Sequence, residues 1–300
     1  MGIKMSKKEF NQIIKDLIGN DKLFGYKNMS NDEKPYSMYY LEDVFNKFVS
    51  DMSEEAKKAY NKGAGEELIE HNNKPPKMAS VASSSRFCYL ALHNGIDITI
   101  GNDHISGHPE FEKVCKINGI KGTSPHLDAY IDNSNCYFEV KCQEIFDIDQ
   151  HKIILSTQYW NLIYGKDNAF GNELKEKPDE KEFKIPYSEF GLKDCQGSMF
   201  DIKQLICHLL AIANQDGTNK KLVYLFFRPD PDKLEMSSTI NENELEKVFD
   251  ELKTEIEHIF GSKPIKTFCD KEHIKLMAIA EKSAVMEQLT NKNLEVLYTS

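Results

Sequence analysis

An α/β layer architecture is what the sequence predicts, on three observations. Residues 124–142, SPHLDAYIDNSNCYFEVKC, alternate apolar and polar side chains over two short segments joined by a polar turn, the pattern of a half-buried β-hairpin. Residues 221–230, KLVYLFFRPD, form a continuous apolar run closed by Pro229, as in a strand covered on both faces. Helical spacing runs through FDIKQLICHLLAIA (200–213) and through Leu245, Val248, Phe249, Leu252, Ile256 and Ile259. Helices and strands thus alternate along the chain, and such chains stack into layers.

Taken in order, Ser6-Lys7-Lys8-Glu9 is a capping box ahead of Phe10, Ile13, Ile14 and Leu17. A second helix is predicted near 38–50, with Leu41, Val44, Phe45 and Phe48 on one face. Together they predict a helical N-terminal extension over 1–60. The core is expected over 61–235. Within it, Ser83-Ser84-Ser85 reads as a helix N-cap, or as a helix start whose N–H groups, with Arg86, receive a phosphate. His104 and His108 read as two ordinary loop histidines, because Gly107 and Pro109 disfavour a helix there and no second ligand pair has zinc spacing. Residues 156–164 carry the only tryptophan, Trp160. A long polar loop is expected over 165–198, then a helix over 199–214 and the buried strand. Residues 236–300 are expected to form a C-terminal α/β extension packed on the core: an amphipathic helix, a short strand at 265–269 and a last helix at 277–289.

Length and composition bound the rest. Three hundred residues, 40% hydrophobic and 29% charged, describe one large or two modest globular domains. The longest apolar run, LICHLLAIA, is interrupted by His208 and falls short of the ~20 residues a membrane span needs. The lysine-rich start lacks a signal-peptide apolar region. Seven cysteines without a CxxC pair fit a reducing, cytoplasmic setting and not a disulfide framework.

The hairpin holds the chemistry. Asn133-Ser134 serves as a two-residue turn. Pairing Asp132 with Asn135 then sets Asp128 opposite Glu139 and His126 opposite Lys141. Opposed Cβ atoms stand roughly 4.5–5.5 Å apart, so two ionised carboxylates there repel by about 3 kcal/mol at an effective dielectric of about 20. Positive charge must come from Lys141, giving a plain charge ladder, or from a hard cation such as Mg²⁺, which favours one or two carboxylates with water and phosphate oxygens.

Ser124-Pro125-His126-Leu127-Asp128, ten residues, then Glu139-Val140-Lys141 resemble the PD-(D/E)xK motif of restriction-endonuclease-like nucleases. GAGEEL (63–68), KPPKMASVASSSRF (74–87), FEKV (111–114) and FDIKQLICHLLAIA (200–213) resemble further segments of that branch, in the expected order over roughly residues 60–230. The resemblance implies a restriction-endonuclease-like core, a central mixed sheet flanked by helices. It implies catalysis by Asp128, Glu139, Lys141 and the helix glutamate Glu67, with Mg²⁺ or Mn²⁺ held by Asp128, Glu139, the Val140 carbonyl and Glu67. His126, Glu144, Gln204 and His208 become accessory candidates. Position 126 departs from the small amide expected there. Ser84, Ser85, Arg86, Tyr130 and Tyr137 become candidate nucleic-acid contacts.

The implied activity is hydrolysis of DNA phosphodiesters in restriction or anti-phage defence, by a cytoplasmic protein without membrane attachment, as a homodimer or with a defence-system partner. An RNase or repair nuclease on the same fold, or a vestigial nucleic-acid-binding module, are the alternatives. Forty-eight acidic against 38 basic residues, net −10, argue against a generic polyanion binder, while a local basic groove can coexist with an acidic back.

Overall fold

The computed structural model describes residues 5–27, 35–62, 67–122, 124–148, 152–164, 177–193, 197–230, 242–283 and 285–300. Ser6 caps helix α1 (Lys7–Ile18) with the full reciprocal box to Glu9, and Phe10, Ile13 and Ile14 are the buried face. A small hairpin follows, β1 (Phe24–Tyr26) with β2 (Tyr36–Tyr40). The helix expected near 38–50 therefore starts later, as α2 (Glu42–Asp51). The aromatic run at 36–40 favours a strand, so the N-terminal extension is not purely helical. Helices α3 (Glu54–Lys62) and α4 (Ser84–Leu92) come next, with Ser83 Oγ accepting the Arg86 N–H at 3.2 Å. The hairpin β3 (Ile96–Ile100) and β4 (Asp103–Gly107) contains His104, which contacts Asp97 at 2.7 Å.

Strands β5 (Pro109–Val114), β6 (His126–Ile131) and β7 (Cys136–Lys141) run antiparallel. Between β6 and β7 the turn is a 3₁₀ turn at Asp132–Ser134 closed by Asn135 in the left-handed region, φ 45°. It is two residues longer than the predicted turn but centred on the same point. The register is therefore the predicted one, with Tyr130 paired to Tyr137 and Ile131 to Cys136. A further hairpin, β8 (Ile154–Ser156) with β9 (Glu182–Lys184), brackets the short helix α5 (Trp160–Tyr164). The stretch expected as a loop thus contains a strand, and Phe183 packs on Trp160 with ring centroids 5.0 Å apart. Residues 165–176 and 194–196 lie outside the described residues.

Helix α6 (Ile202–Ala213) leads to strand β10 (Lys220–Pro229). The Lys220 ammonium donates to the carbonyls of Ile212, Ala213 and Gln215 at 3.0, 3.1 and 2.7 Å, a cation placed at the negative end of the helix. After α7 (Glu242–Gly261) the expected order reverses. Residues 263–272 are helix α8 (Lys263–Glu272), and residues 274–283 are strand β11 (Ile274–Ser283), followed by β12 (Leu294–Thr299). Pro264 near the helix start marked α8. LMAIA has good helix formers, but an unbroken apolar run paired on both sides satisfies a central strand, and tertiary pairing overrides propensity.

The central sheet has six strands in the order β12-β11-β10-β7-β6-β5. β10 is parallel to both β7 and β11, and the outer pairs are antiparallel. Residues 274–299 supply two strands of this same sheet and are not an extension laid on a finished core. Helices cover both faces. Phe87 of α4 meets Phe227 on one side, while Phe260 of α7 meets Tyr224 on the other, at 5.4 and 6.0 Å between ring centroids.

Candidate functional site

The β6–β7 ladder is recorded from Ile131 back to Ala129 and stops there. Beyond it the Val140 N–H donates to Asp128 Oδ2 at 2.6 Å. A side-chain carboxylate replaces the next backbone rung, and the strands open around Asp128 and Glu139. The expected contact between His126 and Lys141 does not form. Lys141 Nζ instead donates to Glu139 Oε1 at 2.7 Å and to Gln204 Oε1 at 2.6 Å, while Gln204 Nε2 donates to Glu139 Oε1 at 2.8 Å. His208 Nε2 stands 3.7 Å from Glu139 Oε2, and its Nδ1 is 3.3 Å from the Tyr224 hydroxyl. The i, i+4 spacing of Gln204 and His208 on α6 thus delivers both to Glu139, which is 4% exposed.

Burial first, and then Glu139, push the Asp128 carboxyl well above the usual carboxylate range. Burial would lower Lys141, but Glu139, Glu144 and Asp128 outweigh it and hold the ammonium charged. Burial keeps His208 below the usual imidazole value. Lys141 has three N–H donors; two serve Glu139 and Gln204. Lys141 also lines a cleft of about 320 Å³ shared with Gln204, Glu144, Asp147, Asp201 and Phe226. Glu144 is fixed there by the Cys142 N–H at 2.7 Å.

Glu67 is buried but not helical: α3 ends at Lys62, and Glu67 sits in a turn whose N–H reaches the Tyr60 carbonyl at 3.4 Å. Residues 63–66 of GAGEEL lie outside the described residues. Its carboxylate takes Lys77 Nζ at 3.3 Å and couples to a residue that periodicity did not single out, Glu112. That carboxyl is raised to about 7 by burial, then by Glu67 and Glu139. Glu112 falls across from Asp128 between the pairs Phe111–Ala129 and Lys113–Leu127, and its φ is 54°. The missed signal was the Glu110-x-Glu112 alternation on a strand next to Tyr130 and Asp128.

The candidate nucleic-acid contacts separate. Tyr130 and Tyr137 pack in a tilted pair with ring centroids 4.5 Å apart, Tyr137 buried and Tyr130 partly exposed. Ser84 and Ser85 begin α4, and the Ser85 carbonyl accepts from Tyr60 Oη at 3.4 Å. The Arg86 guanidinium is sandwiched between Tyr40 and Phe48, 4.1 and 3.9 Å from their centroids, away from solvent.

Among the described residues no three His, Cys, Asp or Glu side chains form a metal-holding group. The donor set still fits a hydrated Mg²⁺ or Mn²⁺, which needs only one or two carboxylates: burial and then Glu139 raise the Asp128 carboxyl, and Lys141 offsets only part of that.

Glu112 is raised in the folded chain to about 7, against about 4.3 unfolded. The folded state binds the extra proton between those values, so stability falls as pH rises from about 4.3 to 7 and stays low above. In chelator, Glu112 should therefore cost on the order of 3 kcal/mol at pH 8 relative to pH 4. Urea unfolding of the wild type and of Glu112→Gln measures it: the variant should lose that part of the slope, and parallel pH profiles would show that Glu112 is not coupled to folding.

Among the described residues no helix is long and apolar enough to cross a membrane. No protein-family model, curated protein or solved structure matches the chain.

Proposed function

We propose that the chain is a metal-dependent endonuclease of restriction-endonuclease-like type, hydrolysing DNA phosphodiester bonds in restriction or anti-phage defence. The observation that carries this reading is the end of the β6–β7 ladder, where Asp128 takes the Val140 N–H, Glu139 takes Lys141, and Lys141 lines a cleft. Asp128, Glu139 and the Val140 carbonyl would hold Mg²⁺ or Mn²⁺, with Glu67 and Glu112 as further acidic groups nearby. When bound, such a cation supplies Lewis acidity toward a phosphate oxygen and lowers the pKa of bound water. Lys141 would orient the attacking water with its remaining N–H and offset charge in the pentacovalent transition state. Gln204 holds the lysine and Glu139 in register, and His208 Nε2 stands 3.7 Å from the second Glu139 oxygen.

Cleavage of plasmid, linear duplex and RNA in millimolar Mg²⁺ or Mn²⁺, against the same mixtures with chelator, tests it. Nicked or linear DNA appearing only with metal supports the proposal. Cleavage of RNA alone would transfer the chemistry to an RNase, and inert substrates throughout would overturn it.

A further inference from the structure

His126 opens β6 two residues before Asp128, with its side chain 25% exposed. Its Nδ1 atom is buried and has no hydrogen-bond partner among the described residues. An unmet buried donor or acceptor costs about 1–3 kcal/mol. Glu112 Oε2 stands 3.6 Å away, beyond a hydrogen bond but within ion-pair reach. The pair is diagonal across β5 and β6, since Val114 pairs with His126 and Lys113 with Leu127; long side chains span such diagonals.

Glu112 itself is costly to place. Its φ of 54° breaks the strand ladder, and a non-glycine residue in that region carries about 1–3 kcal/mol of strain. Its carboxylate is 12% exposed. The neighbouring lysines are otherwise engaged, Lys113 with Glu110 at 2.6 Å and Lys77 with Glu67 at 3.3 Å. What faces the carboxylate and lacks a partner is the imidazole.

We propose that Glu112 is a positioning residue acting through His126: its carboxylate takes the Nδ1–H and leaves Nε2 as an acceptor toward the water that attacks the phosphodiester. A neutral imidazole with one nitrogen committed as donor presents the other as acceptor. Hydrogen bonds of this kind are long in free enzymes and tighten in the substrate complex. The inference rests on the nuclease reading for its substrate, while the Glu112–His126 pair itself does not.

Long-range ¹H–¹⁵N spectra of the full chain test the pair, with His126 assigned by the signal missing from His126→Ala. At pH 8, where Glu112 is a carboxylate, the wild type should show one tautomer, Nδ1 protonated. Glu112→Ala should give a tautomer mixture, and Glu112→Gln, whose amide oxygen still accepts, should keep the wild-type form. In single turnover on DNA with Mg²⁺, Glu112→Ala and His126→Ala should each lose roughly 10–100-fold. The double variant should lose no more than either, as for residues acting as a unit, and Glu112→Gln should recover most of the rate. An unchanged His126 spectrum in Glu112→Ala, or losses that multiply in the double variant, would overturn the proposal. A wild-type chain that cleaves nothing would remove the nuclease reading, and the spectrum would still decide whether Glu112 holds the imidazole.

Discussion

Replacing Lys141 by alanine should abolish cleavage, by roughly 10²–10³-fold or more in single turnover, the scale of losing one preorganised transition-state donor. The same substitution should also weaken the fold. Lys141 is bonded to Glu139 and Gln204 at 2.7 and 2.6 Å, and removing one member of a buried ion pair costs about 3–5 kcal/mol because the other charge remains. The two effects separate in a metal titration. Millimolar Mg²⁺ should restore much of the lost stability by neutralising Glu139, and restore none of the cleavage, because no ammonium then faces the attacking water. Urea unfolding and single-turnover rates on the same preparation check both. A rate loss of only severalfold would reduce Lys141 to a structural counter-charge.

Asp128→Asn should act in the opposite sense on stability. Burial and Glu139 raise the Asp128 carboxyl in the folded chain, so its ionised form costs stability at neutral pH, above its unfolded value of about 3.9. Asparagine removes that charge and keeps an oxygen to accept the Val140 N–H. The metal-free variant should therefore melt higher than the wild type, by about 1.5–2 °C for each kcal/mol gained. Added Mg²⁺ should raise the wild-type melting temperature, with a gain of about 2.7 kcal/mol at 100-fold excess over its dissociation constant. The variant should show little or none of that shift, and no cleavage. Equal shifts in both proteins would place the cation elsewhere, and a lower melting point in chelator would show that the carboxylate contributes net stability.

Much of this site was legible in the residues because its central pairing is local. Alternation at 126–131 and 136–142 fixed which side chains share a face, and a longer turn with the same centre preserved the register, so the neighbourhood of Asp128 and Glu139 followed from arithmetic on the chain. Gln204 and His208 were visible as one helical face; what that face touched came from the resemblance. For Glu112 only the Glu110-x-Glu112 alternation was on the chain; its left-handed backbone inside a strand is set by tertiary surroundings. Tyr224 was hidden in an apolar run, and only the folded structure brings its hydroxyl to His208. The C-terminal reversal has the same cause. Ile274–Ser283 looks helical by propensity, and it becomes a strand because the flank of β10 is open to it.

The stopped ladder between β6 and β7 also has a meaning in time. Its two strands are separated by a turn of four residues, so they can pair as soon as both leave the ribosome. Gln204, which joins Lys141 and Glu139, follows Lys141 by 63 residues. At about 5–20 residues per second that is roughly 3–13 s of synthesis. For that interval the nascent hairpin carries Asp128, Glu139 and Lys141 without the helix that later orders them. The charge conflict at its open end is thus older than the α6 part of the site, and a cation met on the way would find the first two carboxylates already side by side.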